Sequence, residues 1–188
     1  MVSTSGETFG KAFFSDHAFE KGEYEDCRFH SCDLSNALLN GSVFLDCVFE
    51  DCNLSMASVV QTAFRNVRFE NCKMLGILFQ NCNTLGLEIG FRQSRLDHSS
   101  FAGLKLKKTI FDNCELAEVD FTSADLSESQ FQNCDLRDAR FERTNLSKAD
   151  LRNSRNLHLR PEENTLRGAR LCLQDLPGLL SHHGIRID

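Results

Sequence analysis

Nine cysteines and six histidines are the side chains of this 188-residue chain that could bind metal, form disulfides or act as nucleophiles. Cys27, Cys32, Cys47, Cys52, Cys72, Cys82, Cys114 and Cys134 form no C-x-x-C pair, and steps of five or twenty residues match no zinc ligand set. His182 and His183 are adjacent, so on a helix they face apart, and they are expected to be surface residues. The spacing supports no Ser/His/Asp or Cys/His constellation, and there is no Gly-rich phosphate loop. The chain is therefore expected to be no enzyme and to carry neither metal nor cofactor.

The element that positions these residues is a repeat. Bulky residues recur every five positions from Phe9, Phe14, Phe19, Tyr24 and Phe29 through Phe79, and again from Phe91, Leu96 and Phe101 to Leu151. Two positions before each centre the residue is small, as at Ala12, Ala37, Ala57, Ser99, Ala124, Ser129, Ala139 and Ala149. The first eight cysteines share that slot and are expected to pack inward as small, mildly apolar side chains. A period of five fits neither the 3.6 of a helix nor the 2.0 of a strand. It fits a solenoid that turns a corner at each repeat.

A second period, of twenty, gives the number of corners. Phe91, Phe111 and Phe131 share one column and Phe101, Phe121 and Phe141 another, with columns of Leu96, Leu116, Leu136 and Leu106, Leu126, Leu146 between them. Four repeats make one coil, and coils stack about 4.8 Å apart, the spacing of hydrogen-bonded strands. Stacked cysteines such as Cys27 and Cys47 then hold parallel Cβ vectors at about 4.8 Å, beyond the roughly 3.5–4.5 Å a disulfide needs. A reducing compartment suits them.

The motif small–polar–Leu/Phe–polar–polar, as in Ala124-Asp125-Leu126-Ser127-Glu128, resembles that of the pentapeptide-repeat family. The resemblance implies an all-β solenoid, a right-handed quadrilateral parallel β-helix with four repeats per coil, here followed by a short C-terminal α-helix. Residues 1–156 are expected to form the β-helix, with a register break at 85–91, and residues 157–188 a C-terminal cap and dimerisation segment.

At the break the centre-to-centre spacing between Thr84 and Phe91 is seven. Gly86 and Gly90 permit a bulge there, read either as a two-residue insertion at a corner or as a projecting loop or bend. Cys52-Asn53-Leu54-Ser55-Met56-Ala57 and Leu85-Gly86-Leu87-Glu88-Ile89 are similar to segments of the Qnr-type quinolone-resistance proteins. The order of parts also resembles albicidin-resistance and microcin-immunity proteins. That resemblance implies a DNA gyrase (type II topoisomerase) partner, bound by mimicry of duplex DNA, in a role of antibiotic or toxin resistance. The alternative is an interaction scaffold whose partner is unrelated to DNA.

The chain carries a net charge of -6, all of it in residues 1–90, where 6 Lys+Arg face 12 Asp+Glu. Direct nucleic-acid binding is disfavoured, since that needs clustered cations. Asp26 stacks on Asp46 and Glu50 on Glu70, and these columns read either as a solvated face or as a phosphate-like track. Glu25, Asp26, Asp46, Glu50, Asp51, Glu70, Gly86, Glu88, Gly90 and Arg92 are the candidate partner-contact residues. Residues 137–170, with nine Arg+Lys against five acids, would put the opposite charge at the centre of a C-terminal dimer.

Leu173, Leu176, Leu179 and Leu180 sit at helical spacing, with Pro177 and Gly178 confining the helix to a short stretch near Asp175 and Gly184 as its C-cap. Such a helix either caps the coil stack or pairs two subunits. The resemblance favours a homodimer through Leu171, Leu173, Leu176, Leu179, Leu180, Ile185 and Ile187. No signal peptide and no membrane-spanning run is evident, so a cytoplasmic location is the expectation.

Overall fold

The computed structural model describes residues 2–11 and 19–185; Ala12, Phe14 and Ile187 lie outside them. Every paired strand is parallel. A four-stranded sheet contains β1 (Val2–Ser5), β3 (Gly22–Glu25), β5 (Val43–Leu45) and β7 (Ala63–Arg65). A seven-stranded sheet runs β2 (Thr8–Gly10), β4 (Arg28–His30), β6 (Val48–Glu50), β8 (Val67–Glu70), β9 (Ile89–Arg92), β10 (Ile110–Asp112), β11 (Gln130–Gln132). Bridges such as Asp33↔Asn53 and Leu38↔Ser58 join coils on the remaining two walls, and Lys105↔Asp125 continues the wall of the four-stranded sheet, again twenty residues apart. The chain is a parallel β-solenoid with four walls, as the two periods require.

Corners form because one residue in five adopts a left-handed backbone. Asn36, Asn66, Asn71, Asn113, Asn133 and Asn153 have φ of 51–65°. That conformation costs most L-residues about 1–2 kcal/mol, and least for Gly, Asn and Asp. Inside, the aromatic rings stack. Phe29, Phe49, Phe69, Phe91, Phe111 and Phe131 form one column with centroids 4.6–5.4 Å apart. Tyr24, Phe44 and Phe64 stack on an adjacent wall, and Phe79, Phe101, Phe121 and Phe141 on the opposite one. The handover from Phe64 to Phe79, 6.2 Å and tilted by 59°, lies just before the register break.

At the break the coil lengthens to an offset of 22, pairing Val67 with Ile89 and Phe69 with Phe91. Gly86, φ +70°, turns the corner that continues the Asp26, Asp46 and Asn66 column, and the two added residues follow it. Thr84, a centre by spacing, is exposed, and Leu87 packs against the core in its place. An apolar side chain three residues on can use the slack of the insertion, so burial overrides the count. Beyond Leu151, Leu157 and Leu159 are buried out of register, and backbone pairing to the preceding coil continues to Arg170. A 3-10 turn at Pro161–Glu163 and another at Leu173–Asp175 lead into α1 (Leu176–Leu180), closed by Ser181–His183 and Gly184 at φ +65°. Gly178 lies against the solenoid: a Cβ there would sit 1.8 Å from the Leu157 carbonyl oxygen.

The eight cysteines of the small slot are buried. Six of these thiols reach back 23 residues to the carbonyl of the preceding coil, among them Cys47 Sγ donating to Tyr24 O (3.2 Å) and Cys52 Sγ to Phe29 O (3.3 Å). The Thr62 and Thr144 hydroxyls make the same contact at 2.8 Å to Leu39 O and Phe121 O. The slot thus selects a small side chain, and its Cys and Thr members can also donate between coils.

Burial pushes the Cys47 and Cys82 thiols up to about 11 from an ordinary value near 9. Their raised folded-state values stabilise the fold fully below about pH 9, and that contribution is lost as pH rises toward about 11. The urea midpoint should therefore fall across that window. At about pH 8, where alkylation follows thiolate character and exposure, iodoacetamide should modify the partly exposed Cys172 in the native chain and spare the other eight. Rapid labelling of several thiols without unfolding would contradict this packing.

Candidate functional site

The four-stranded sheet places an acidic edge at the N-terminal end of the solenoid. In β3 the side chains alternate, so Gly22 and Tyr24 are buried while Glu23 and Glu25 are exposed. Asp26 and Asp46 turn successive corners in the left-handed conformation and are also exposed. Asn66 continues that column and donates to Asp46 Oδ1 at 2.5 Å. Among the described residues no ion pair reaches Glu23, Glu25, Asp26 or Asp46. Glu23 was not among the candidates from sequence; the signal was its alternation with Glu25 around the buried centre Tyr24.

The second column has a different electrostatic character. The register places Glu50 beside Glu70, Glu70 beside Arg92 and Arg92 beside Asp112, so the two acids are followed by a cation. Arg28 Nη1 lies 2.6 Å from Glu50 Oε2, and Arg68 Nε 4.0 Å from Glu70 Oε1. His30 Nδ1 is 3.6 Å from both Glu50 and Asp51, and Asn71 donates to Asp51 Oδ1 at 2.6 Å. Arg92 itself pairs with Asp112 at 3.1 Å. Glu50 and Glu70 thus form a compensated ladder, and Glu25, Asp26 and Asp46 an uncompensated one.

Glu88, Gly90 and Arg92 line an open trough of about 770 Å³ beside the break, with Arg68, Lys107 and Lys108 also on its walls. It exists because Gly90 offers no side chain on the wall between Arg68 and Ile110. Gly86 lies at the neighbouring corner, against the Arg65 side chain. The break is a local widening of one coil.

Further along, acids absorb most of the basic zone. Arg152 donates to both Asp150 oxygens at 2.8 and 2.7 Å, which holds that carboxyl below the usual carboxylate range. Arg155 pairs with Asp135 at 3.2 Å and Arg160 with Glu163 at 2.8 Å. Arg137, Arg143, Lys148 and Arg167 have no ion pair among the described residues.

Of the candidate dimer residues, Leu173, Leu176 and Ile185 are 83%, 42% and 54% exposed. Leu179 is buried in the chain's own core, Leu171 packs against it, and Leu180 is half-buried. The adjacent His182 and His183 do not face apart: their ring centroids are 4.0 Å from each other, and Glu162 lies beside them. No helix among the described residues is long and apolar enough to cross a membrane.

These features define a class: a repeat solenoid with a close-packed interior, whose outward walls carry its distinguishing chemistry. A model of the pentapeptide repeat region matches residues 22–90 and 77–151, and the chain belongs to the pentapeptide-repeat family. Among solved structures, full-length QnrB1, a plasmid-mediated fluoroquinolone resistance protein, is similar over 98% of this chain and 100% of its own, at 20% identity and a TM-score of 0.54. A trypsin-treated variant of QnrB1 matches over 100% of both chains at 21% identity and a TM-score of 0.52. These are likenesses of fold. No curated protein matches by sequence.

Proposed function

We propose that this chain is a non-catalytic, cytoplasmic partner of DNA gyrase that presents its acidic N-terminal edge as a mimic of duplex phosphates, and so modulates the enzyme or protects it from an inhibitor. The observation that carries the reading is the uncompensated set Glu23, Glu25, Asp26 and Asp46, held on one wall with no cation paired to it among the described residues. A cationic groove gains most from carboxylates that are not already neutralised. The similarity of fold to QnrB1 along both chains supports the same reading. At the other end, Leu173, Leu176 and Ile185 are, among the described residues, the apolar side chains left exposed for pairing two chains.

The test is a gyrase supercoiling assay with and without a quinolone. Dose-dependent inhibition, or supercoiling restored in the presence of drug, is expected. The Glu25→Lys/Asp26→Lys/Asp46→Lys variant should need at least about tenfold more protein, an effect that high salt mimics in the wild type. An inert wild-type protein, or an unaffected variant, would refute the reading. Sedimentation of the same preparation reads the pairing, with Leu173→Asp expected to yield monomer.

One wall favours a second reading, an interaction scaffold with a partner unrelated to DNA. Outward positions 38, 40, 58, 60, 78 and 80 carry no charge, and Leu38, Val60 and Leu78 are 66%, 44% and 48% exposed. A DNA-like ligand makes no use of such a surface.

A further inference from the structure

The C-terminal turn gathers three metal-binding side chains from two separate segments. We propose that Glu162, His182 and His183 form a site for a divalent transition metal, zinc by its donor set, which clamps the C-terminal helix to the end of the solenoid.

One ligand atom from each of the three residues lies within 4.8 Å of the other two. His182 Nε2 is 2.8 Å from Glu162 Oε1 and is shielded from solvent. The ring nitrogen and the carboxylate thus already sit side by side, where a cation could be shared between them. His183 stacks obliquely on His182, with an interplanar angle of 41°, and together with Glu162 remains exposed, leaving an open side where water can complete a tetrahedron.

Two imidazoles and one carboxylate suit zinc and its transition-series neighbours. Calcium and magnesium favour oxygen ligands, and copper(I) favours thiolates. The framework is already set. Glu162 is fixed in the Pro161–Glu163 turn, and Gly178 seats α1 directly on the Leu157 carbonyl. Arg160, two residues before Glu162, is turned to Glu163 at 2.8 Å. A second triad, His30, Glu50 and Asp51, fails this criterion, because Arg28 already occupies the Glu50 oxygen at 2.6 Å.

A metal that binds only the closed arrangement shifts the cap toward its docked state. The experiment uses the full chain without a histidine tag, titrated with zinc in a calorimeter and with cobalt in a spectrophotometer. Expected are one zinc per chain and cobalt bands in the visible without thiolate charge transfer in the near ultraviolet. Zinc should also slow amide exchange across 176–184. Glu162→Gln and His183→Asn alter exposed side chains, so both variants should fold, and each should weaken zinc binding at least about tenfold. Absence of zinc uptake, uptake unchanged in both variants, or thiolate bands with cobalt would each overturn the site.

Discussion

Replacing Phe101 with alanine should lower the stability of the chain by about 3–5 kcal/mol, the cost of emptying a buried phenylalanine site whose walls cannot close. Phe101 is fully buried, stacked on Phe79 at 4.6 Å and Phe121 at 5.5 Å, and edge-on to Phe91 and Phe111 at 5.7 and 6.0 Å. Its neighbours cannot move in, because the backbone is pinned coil to coil, for example by Phe101 N–H donating to Asp120 O at 2.8 Å. In a solenoid each coil is stabilised mainly by the two beside it, so a gap in the middle weakens both halves. Urea unfolding should show Phe101→Leu losing less than about 1.5 kcal/mol, since Leu already fills two of the four walls. Phe9→Ala, at a partly buried terminal position, should cost clearly less than Phe101→Ala. A Phe101→Ala protein within about 1 kcal/mol of wild type would mean that the stack is not what holds the coils.

Gly178→Val should detach the C-terminal helix while leaving the solenoid folded. The new Cβ would meet the Leu157 carbonyl oxygen at 1.8 Å and its carbon at 3.0 Å, both backbone atoms that no rotamer change can clear. Lifting α1 away exposes Leu179, which is 8% accessible when docked. Burying a leucine is worth about 1.5–3 kcal/mol, so amides of the cap should exchange roughly ten- to a hundredfold faster. Far-ultraviolet circular dichroism should change little, because no wall of the solenoid is touched. Gly90→Ala is the control: its Cβ finds only the Ile110 oxygen, at 3.9 Å, and exchange should stay as in wild type. A cap equally protected in Gly178→Val would show that α1 is not seated on Leu157.

The two variants bear differently on the proposals above. Gly178→Val should lose zinc affinity together with the docked cap, yet keep the acidic edge that is proposed to meet gyrase. The charge-reversal variant should do the reverse. A chain that lost both properties in either variant would join two ends of the molecule that the structure keeps apart.

The wall order was legible in the sequence, because a solenoid makes its long-range contacts at a constant offset: Phe29, Phe49 and Phe69 repeat in sequence as they stack in space. The slot of Cys47 and Cys52 was legible for the same reason, and the short helix before Gly184 from the helical spacing of its leucines. Three things depended on tertiary structure. Leu87 displaces Thr84 because burial decides which side chain fills a widened coil. Glu50 is neutralised by Arg28 because a side chain can reach across to the next coil at an offset of 22, which no column of twenty contains. Glu162 meets His182 and His183 because α1 docks on Leu157, outside the repeat. Periodicity fixes the backbone path, whereas the pairing of long charged side chains and the seating of a non-repeating cap depend on which conformers and surfaces the folded chain brings within a few ångströms.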